Sequence, residues 1–256
     1  MEAARIRAQI AQLEQYRTAF YTFQGKYNNY PGDIPASLVT TLGFTAAPTR
    51  GGDRGNGDGN GIIESGSGGV TYGYDQTYEN LYFWEDLSTN SGLIPETLNT
   101  ATNSSFNISA SDVQKYFPKA KIGDNAYIIT YSCYYAGSVA YTSVCEHNSY
   151  MQIMGIYGTV NNGRPRNRLV LTPSQAYNID SKTDDGIAKT GMVLAIGANP
   201  TDTGSGDGLT DINTYSNAAS SSSTTCFSTG TNSNGIYSTD VNSGANVTCG
   251  LSFVLY

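Results

Sequence analysis

The run Asn56-Gly57-Asp58-Gly59-Asn60-Gly61-Ile62-Ile63-Glu64 holds the densest set of side chains suited to chemistry. Set against a calcium loop, Asn56, Asp58 and Asn60 fall at the first, third and fifth positions. Gly61 supplies the turn, Ile62 offers a carbonyl, and Glu64 stands ninth. The twelfth position is Ser67 rather than a bidentate Glu, so a site built on Asp58 and Glu64, with Asp53 as a third carboxylate, would bind at roughly millimolar strength. The same residues also read as a glycine-rich turn whose Asn and Asp side chains bond their own backbone. Calcium is the one cofactor suggested, with Asp53, Asn56, Asp58, Asn60 and Glu64 as candidate ligands.

A second acidic group, Asp180, Asp184 and Asp185, precedes Gly186. Paired carboxylates can serve acid–base chemistry or a metal, but this spacing suits an Asx-type turn between two elements. Asp202, Asp207 and Asp211 lie in Gly and Thr-rich sequence and carry less signal. His147 is the single histidine, beside Cys145 and Glu146. Catalysis there would need a nucleophile and an orienting acid. There is no Gly-x-Ser-x-Gly elbow, no P-loop, and no dinucleotide fingerprint after a clear strand. The expectation is a protein that is not an enzyme.

The four cysteines, Cys133, Cys145, Cys226 and Cys249, form no Cys-x-x-Cys pair, which argues against a zinc knuckle. Three pairings are open. Two local bridges, Cys133–Cys145 and Cys226–Cys249, are favoured by the spacing and imply an oxidising compartment. Reducing the second is expected to loosen a C-terminal loop more than the core.

These groups must be positioned by a chain of 256 residues, enough for one large domain. Only 14% of residues are charged, against 29 Gly and 20 Tyr, a turn-rich and tyrosine-rich composition typical of secreted β structure. The net charge of −7 argues against nucleic acid or anionic membrane surfaces as partners. No run approaches the ~18 apolar residues of a membrane span.

The clearest element is the stretch Glu2 to Pro35. Ile6, Ile10, Leu13, Tyr16, Phe20, Phe23 and Tyr27 follow at steps of three and four, which places them on one helix face. Asn28 to Asp33, with Pro31 and Gly32, ends the helix. No capping residue precedes Ala3, and Arg5 and Arg7 lie where the helix dipole disfavours cations, so the helix reads as one that continues upstream. Further on, a helical turn is expected at 36–42, a strand at 70–74, a helix over 75–90 and a short helix over 109–117. Strands are expected at 127–131, 150–157, 169–172, 192–196 and 251–256, with a helix from Pro173 capped by Thr172 or Ser174. Residues 197–249 are low in complexity. The pattern predicts a single α+β domain over 1–256: an N-terminal helix over 1–29, loops and short helices over 30–125, and an antiparallel sheet with disulfide-stapled loops over 126–256.

Glu2 to Pro35 resembles the second half of the long N-terminal helix of type IV pilin-like proteins, including the pseudopilins of type II secretion. The pieces that carry the resemblance are EAARIRAQIAQLEQYRTAFYTF and the link GKYNNYPGDIP. Within them Phe23 to Ile34 is similar to the F-x-x-K-Y-N-x-x-P-G-D-I segment of one subgroup. Phe83-Trp84-Glu85-Asp86-Leu87 running to Gly92-Leu93-Ile94, and Ile179 to Gly186, are similar too. The family's cleavage site and hydrophobic first half-helix do not lie within this sequence. The resemblance implies a long helix packed on a small antiparallel sheet with long Gly, Ser, Thr and Asn-rich loops. It implies a structural subunit cut by a prepilin peptidase, held in the bacterial inner membrane by the assembly machinery, then built with other pilin subunits into a periplasmic or cell-surface filament. In that reading Tyr16, Phe20, Phe23 and Tyr27 pack on the subunit's own sheet, while Ile6, Ile10 and Leu13 lack an intramolecular partner. The alternative is a secreted calcium- or glycan-binding adhesin module, a minor pilin, whose Tyr and Asn-rich loops face a sugar.

Overall fold

The apolar stripe of the first 27 residues folds as the helix α1 (Glu2–Tyr27), with Tyr16, Phe20 and Phe23 fully buried and Tyr27 packed at the core's edge. Asn28 ends it in a left-handed conformation (φ 52°), which Asn tolerates better than most residues. The computed structural model describes residues 2–44, 57–63, 65–67, 70–72, 78–99, 108–132, 149–160, 164–197, 225–228, 235–240 and 244–256.

α1 leads through the Pro31-Gly32-Asp33 link into the single turn α2 (Ala36–Val39). A small hairpin follows, β1 (Ser65–Ser67) with β2 (Val70–Tyr72). The helix expected over 75–90 is α3 (Tyr78–Glu85), which runs on into a π-helical turn over Asp86–Asn90. Over 109–117 only a 3₁₀ turn forms, Val113–Lys115. The sheet is antiparallel throughout. β3 (Ala126–Ser132), β4 (Ser149–Val160), β9 (Cys249–Val254) and β6 (Val193–Gly197) lie side by side in that order, and β5 (Arg164–Arg168) also pairs with β4. α4 (Pro173–Thr183) starts on a capping box: the Gln175 N–H donates to the Thr172 hydroxyl, and the Gln175 side chain accepts from the Thr172 N–H. A two-residue pair, β7 (Phe227–Ser228) with β8 (Ile236–Tyr237), completes the described elements.

The strand expected at 169–172 is displaced. Arg164–Arg168 forms the strand instead, and Leu171 keeps only a bridge to Cys249. Charged side chains and Pro165 hid β5 from a reading based on apolar runs, although such residues suit an edge position.

The two sheet faces are both buried. Thr130, Met151, Leu251 and Phe253 face the main core, with Thr130 Oγ1 donating to the Asn80 carbonyl of α3. On the opposite face Tyr131 and Tyr150 stack at 5.1 Å beside Val254.

The early turns of α1 differ from expectation. Ile6 and Leu13 are buried, each 4% exposed, and Gln9 and Gln12 beside them are buried too. The reason is the segment 119–122, which runs along this end of the helix. Gln12 Nε2 donates to the Lys119 carbonyl at 2.9 Å, and the Lys121 N–H donates to Gln9 Oε1 at 2.7 Å. Gln175 Nε2 of α4 donates to Glu2 Oε1. Ile6→Ala is therefore expected to cost ~2 kcal/mol or more, as for a core truncation. Urea denaturation checks this, and a loss within ~0.5 kcal/mol would mark Ile6 as a surface position.

Candidate functional site

The end of α1, the link after it and the 57–63 loop meet α3 at a group of buried carboxylates. Asp33, in the link, is 1% exposed. Its Oδ1 accepts from the Gly59 N–H and its Oδ2 from the Gly61 N–H, both at 2.7 Å. Glu79, fully buried on α3, accepts from the Gly57 N–H at 2.7 Å. Asp86, also buried, accepts from the Gly32 N–H at 2.8 Å and from Asn90 Nδ2. Carboxylates so placed act as ties, each holding a turn whose peptide donors would otherwise be stranded away from water. Glycine is required at both approaches. A Cβ on Gly32 (φ 88°) would lie 2.3 Å from the Glu79 carbonyl oxygen, and one on Gly57 (φ 73°) 2.4 Å from that of Ile34.

Among the calcium candidates, Asp53, Asn56 and Glu64 lie outside the described residues, and Asp58 and Asn60 are exposed. Asp58 Oδ1 accepts from the Asn60 N–H, and Asn60 Oδ1 from the Ile62 N–H, the two Asx turns that a glycine-rich loop makes for itself. Over 57–63 the loop also turns the Gly57 N–H toward Glu79 and the Gly59 and Gly61 N–H groups toward Asp33. Carboxylate oxygens of Asp33, Asp58 and Glu79 lie within 4.8 Å of one another. Three negative groups so close favour uptake of either a proton or a cation. Asp33 and Glu79 were missed as site residues. The only sequence signal was the Gly32-Asp33 pair, read as a helix stop.

Burial pushes the Asp33 carboxyl up to about 6, with the Asp58 charge adding to the rise and the Gly61 and Gly59 N–H bonds partly offsetting it. Because this value lies above the ~4 of an unfolded aspartate, the folded chain holds a proton that the unfolded chain gives up. The associated stability is complete below pH ~4 and is lost as pH rises through ~6. The Asp33→Asn variant, which cannot titrate, is expected to compare less favourably with wild type at pH 4 than at pH 7, by about 2–3 kcal/mol. Denaturation midpoints at the two pH values measure the difference, and equal differences would show that Asp33 titrates normally.

The carboxylates of the second acidic group also lie within 4.8 Å of one another, and each holds part of a turn. Asp180 Oδ2 accepts from the Tyr237 hydroxyl at 2.8 Å, and Oδ1 from the Gly186 N–H. Asp184 Oδ2 accepts from the N–H groups of Met192 and Val193. Asp185 accepts from the Ile187 N–H and the Thr190 hydroxyl. Burial raises the Asp180 carboxyl to about 6, and burial together with the Asp180 charge raises the Tyr237 phenol. The turn expected from the sequence is present, and it ties α4 to β6 and β8.

Cys226 and Cys249 form a disulfide, while Cys133, Cys145 and His147 lie outside the described residues. No helix among the described residues is long and apolar enough to cross a membrane. Comparison with protein-family models, with curated proteins and with solved structures returned no match.

Proposed function

We propose that this chain is a structural subunit of a type IV pilus or type II secretion pseudopilus. One observation carries the reading: a 26-residue N-terminal helix, roughly 40 Å long, seats one face in an α+β core and leaves another open. Ala4, Arg7, Ala11, Glu14 and Thr18, spaced by three and four, are all exposed and form that open face. Burial of Ile6 and Leu13 means that neighbouring subunits would use this face, not the apolar stripe. The similarity of Phe23–Ile34 to one pilin subgroup adds to the reading, since it spans the link that Asp33 ties down. The subunit's partners are then other subunits, the prepilin peptidase and the inner-membrane assembly machinery, and its place is a periplasmic or cell-surface filament.

Cysteine cross-linking in intact source cells tests this. With Ala11→Cys in the full-length gene, oxidation is expected to give multimers in sheared surface or periplasmic filaments, lost when the prepilin peptidase is inactivated. A monomer released regardless of the peptidase would overturn it.

A second reading, a calcium-dependent adhesin module, is favoured by the convergence of Asp33, Asp58 and Glu79. Under it, millimolar calcium raises the melting temperature by mass action and Asp58→Ala removes the rise. An unchanged melt at millimolar calcium would exclude it.

A further inference from the structure

A cavity of about 210 Å³ opens where α1 ends, lined by Gln24, Asn28, Asn29, Tyr30, Asp33, Gly59 and Gly61. That is below the roughly 300–1,000 Å³ of sites for drug-sized ligands, so the occupant is a small molecule or one unit of a chain. The chemistry of the wall is distinctive: three carboxamide residues, one carboxylate, one tyrosine and two glycines, without a cation. A carboxamide both donates and accepts, and a carboxylate accepts at as many as four lone-pair sites. Asp33 is already occupied by the Gly59, Gly61 and Asn60 N–H groups, which leaves the carboxamides as the open donors and acceptors. Such a set matches adjacent hydroxyl groups, which also donate and accept. An anion would meet Asp33, the Asp58 charge and the negative end of α1, and would be repelled. A hydrocarbon would leave the amides unpaired.

The wall is also rigid. Tyr30 stacks on Phe20 and Tyr256, at 5.2 and 4.4 Å, and the Tyr256 hydroxyl donates to the Gly61 carbonyl at 2.7 Å. Asn29 Nδ2 donates to the Tyr27 carbonyl. Binding would then have the Gln24 and Asn28 side chains left to order, the rest of this wall being held already.

We infer that this cavity is a binding site for a single sugar residue, held through its hydroxyl groups by Gln24 and Asn28, with the buried Asp33 fixing the glycine wall behind them. The site belongs to one chain, so it stands or falls independently of filament assembly.

The test is saturation-transfer NMR and titration of the purified chain with a panel of neutral hexoses, N-acetylhexosamines and sialic acid, with calcium chelated and then added. At least one neutral sugar is expected to bind at millimolar strength and sialic acid, an anion, to be rejected. Gln24→Ala combined with Asn28→Gly should weaken binding about tenfold or more through lost hydrogen bonds, with the melting temperature little changed. Glycine suits the left-handed backbone at position 28, so this change adds no strain. Failure of every neutral sugar to bind, binding that ignores the double variant, or a response to calcium alone would overturn the inference.

Discussion

Phe20→Ala is expected to cost ~3–5 kcal/mol, against ~0.5 kcal/mol or less for the exposed Thr18→Ala two residues before it. Phe20 is fully buried, and its ring lies 5.2 Å from Tyr30, 5.4 Å from Tyr256 and 6.2 Å from Phe83, near parallel to all three. It therefore joins α1, the link, α3 and the C-terminal strand's extension in one stack. Removing it leaves a void between elements that are held apart by their own backbones, and such a site collapses poorly. The same void undercuts Tyr30, so the cavity at the end of α1 should lose part of its wall as stability falls. Urea unfolding of both variants measures the difference. If Phe20→Ala costs no more than Thr18→Ala, α1 is not seated on the core as described.

Replacing Cys226 and Cys249 together with alanine is expected to cost about 3 kcal/mol, the loop-closure value for a bridge spanning 23 residues. The damage should not stay local. Cys249 opens β9, pairs with Gly197 of β6, and its carbonyl accepts from the N–H groups of Val170 and Leu171. The other end holds Cys226, whose carbonyl accepts from the Ser238 N–H next to Tyr237 and its bond to Asp180. This corrects the view of the bridge as a clip on a loose loop: one of its ends lies in the sheet. Amide exchange should show faster exchange in β9 and β6 as well as over 225–240. Acceleration limited to 225–240, without loss of global stability, would restore the local picture.

The helix stripe, the Thr172 cap and the strands near 127–131, 150–157 and 193–196 were legible because each is a local pattern: periodicity, a cap residue, or a run of β-branched and aromatic side chains. The Cys226–Cys249 pair was legible from spacing. What escaped depended on distant residues. The burial of Gln9 and Gln12 beside the apolar stripe has no local signal, because the carbonyl and N–H that satisfy them come from residues 119 and 121. The pilin resemblance implies an unpacked Ile6, whereas the apolar stripe itself puts it on the face that is buried. Asp33 reads only as part of the helix stop, and Glu79 and Asp86 do not stand out as site residues, since nothing local says that glycine turns will present N–H groups to them. The loop at 56–64 was singled out for its oxygens, and the N–H groups of its glycines, which nothing in the spacing marks, also serve as donors to Asp33 and Glu79.

The strand order carries a consequence for synthesis. β9 lies between β4 and β6, yet it is made after both. Until it arrives, β4 and β6 each offer a bare edge, and the pairing that closes the sheet spans about a hundred residues of chain on the β4 side. A ribosome-bound chain ending anywhere before residue 249 is thus held open, with sticky edges that invite either a chaperone or aggregation. A stop codon or nick just ahead of β9 should leave β6 without a partner and cut the sheet back to β3, β4 and β5.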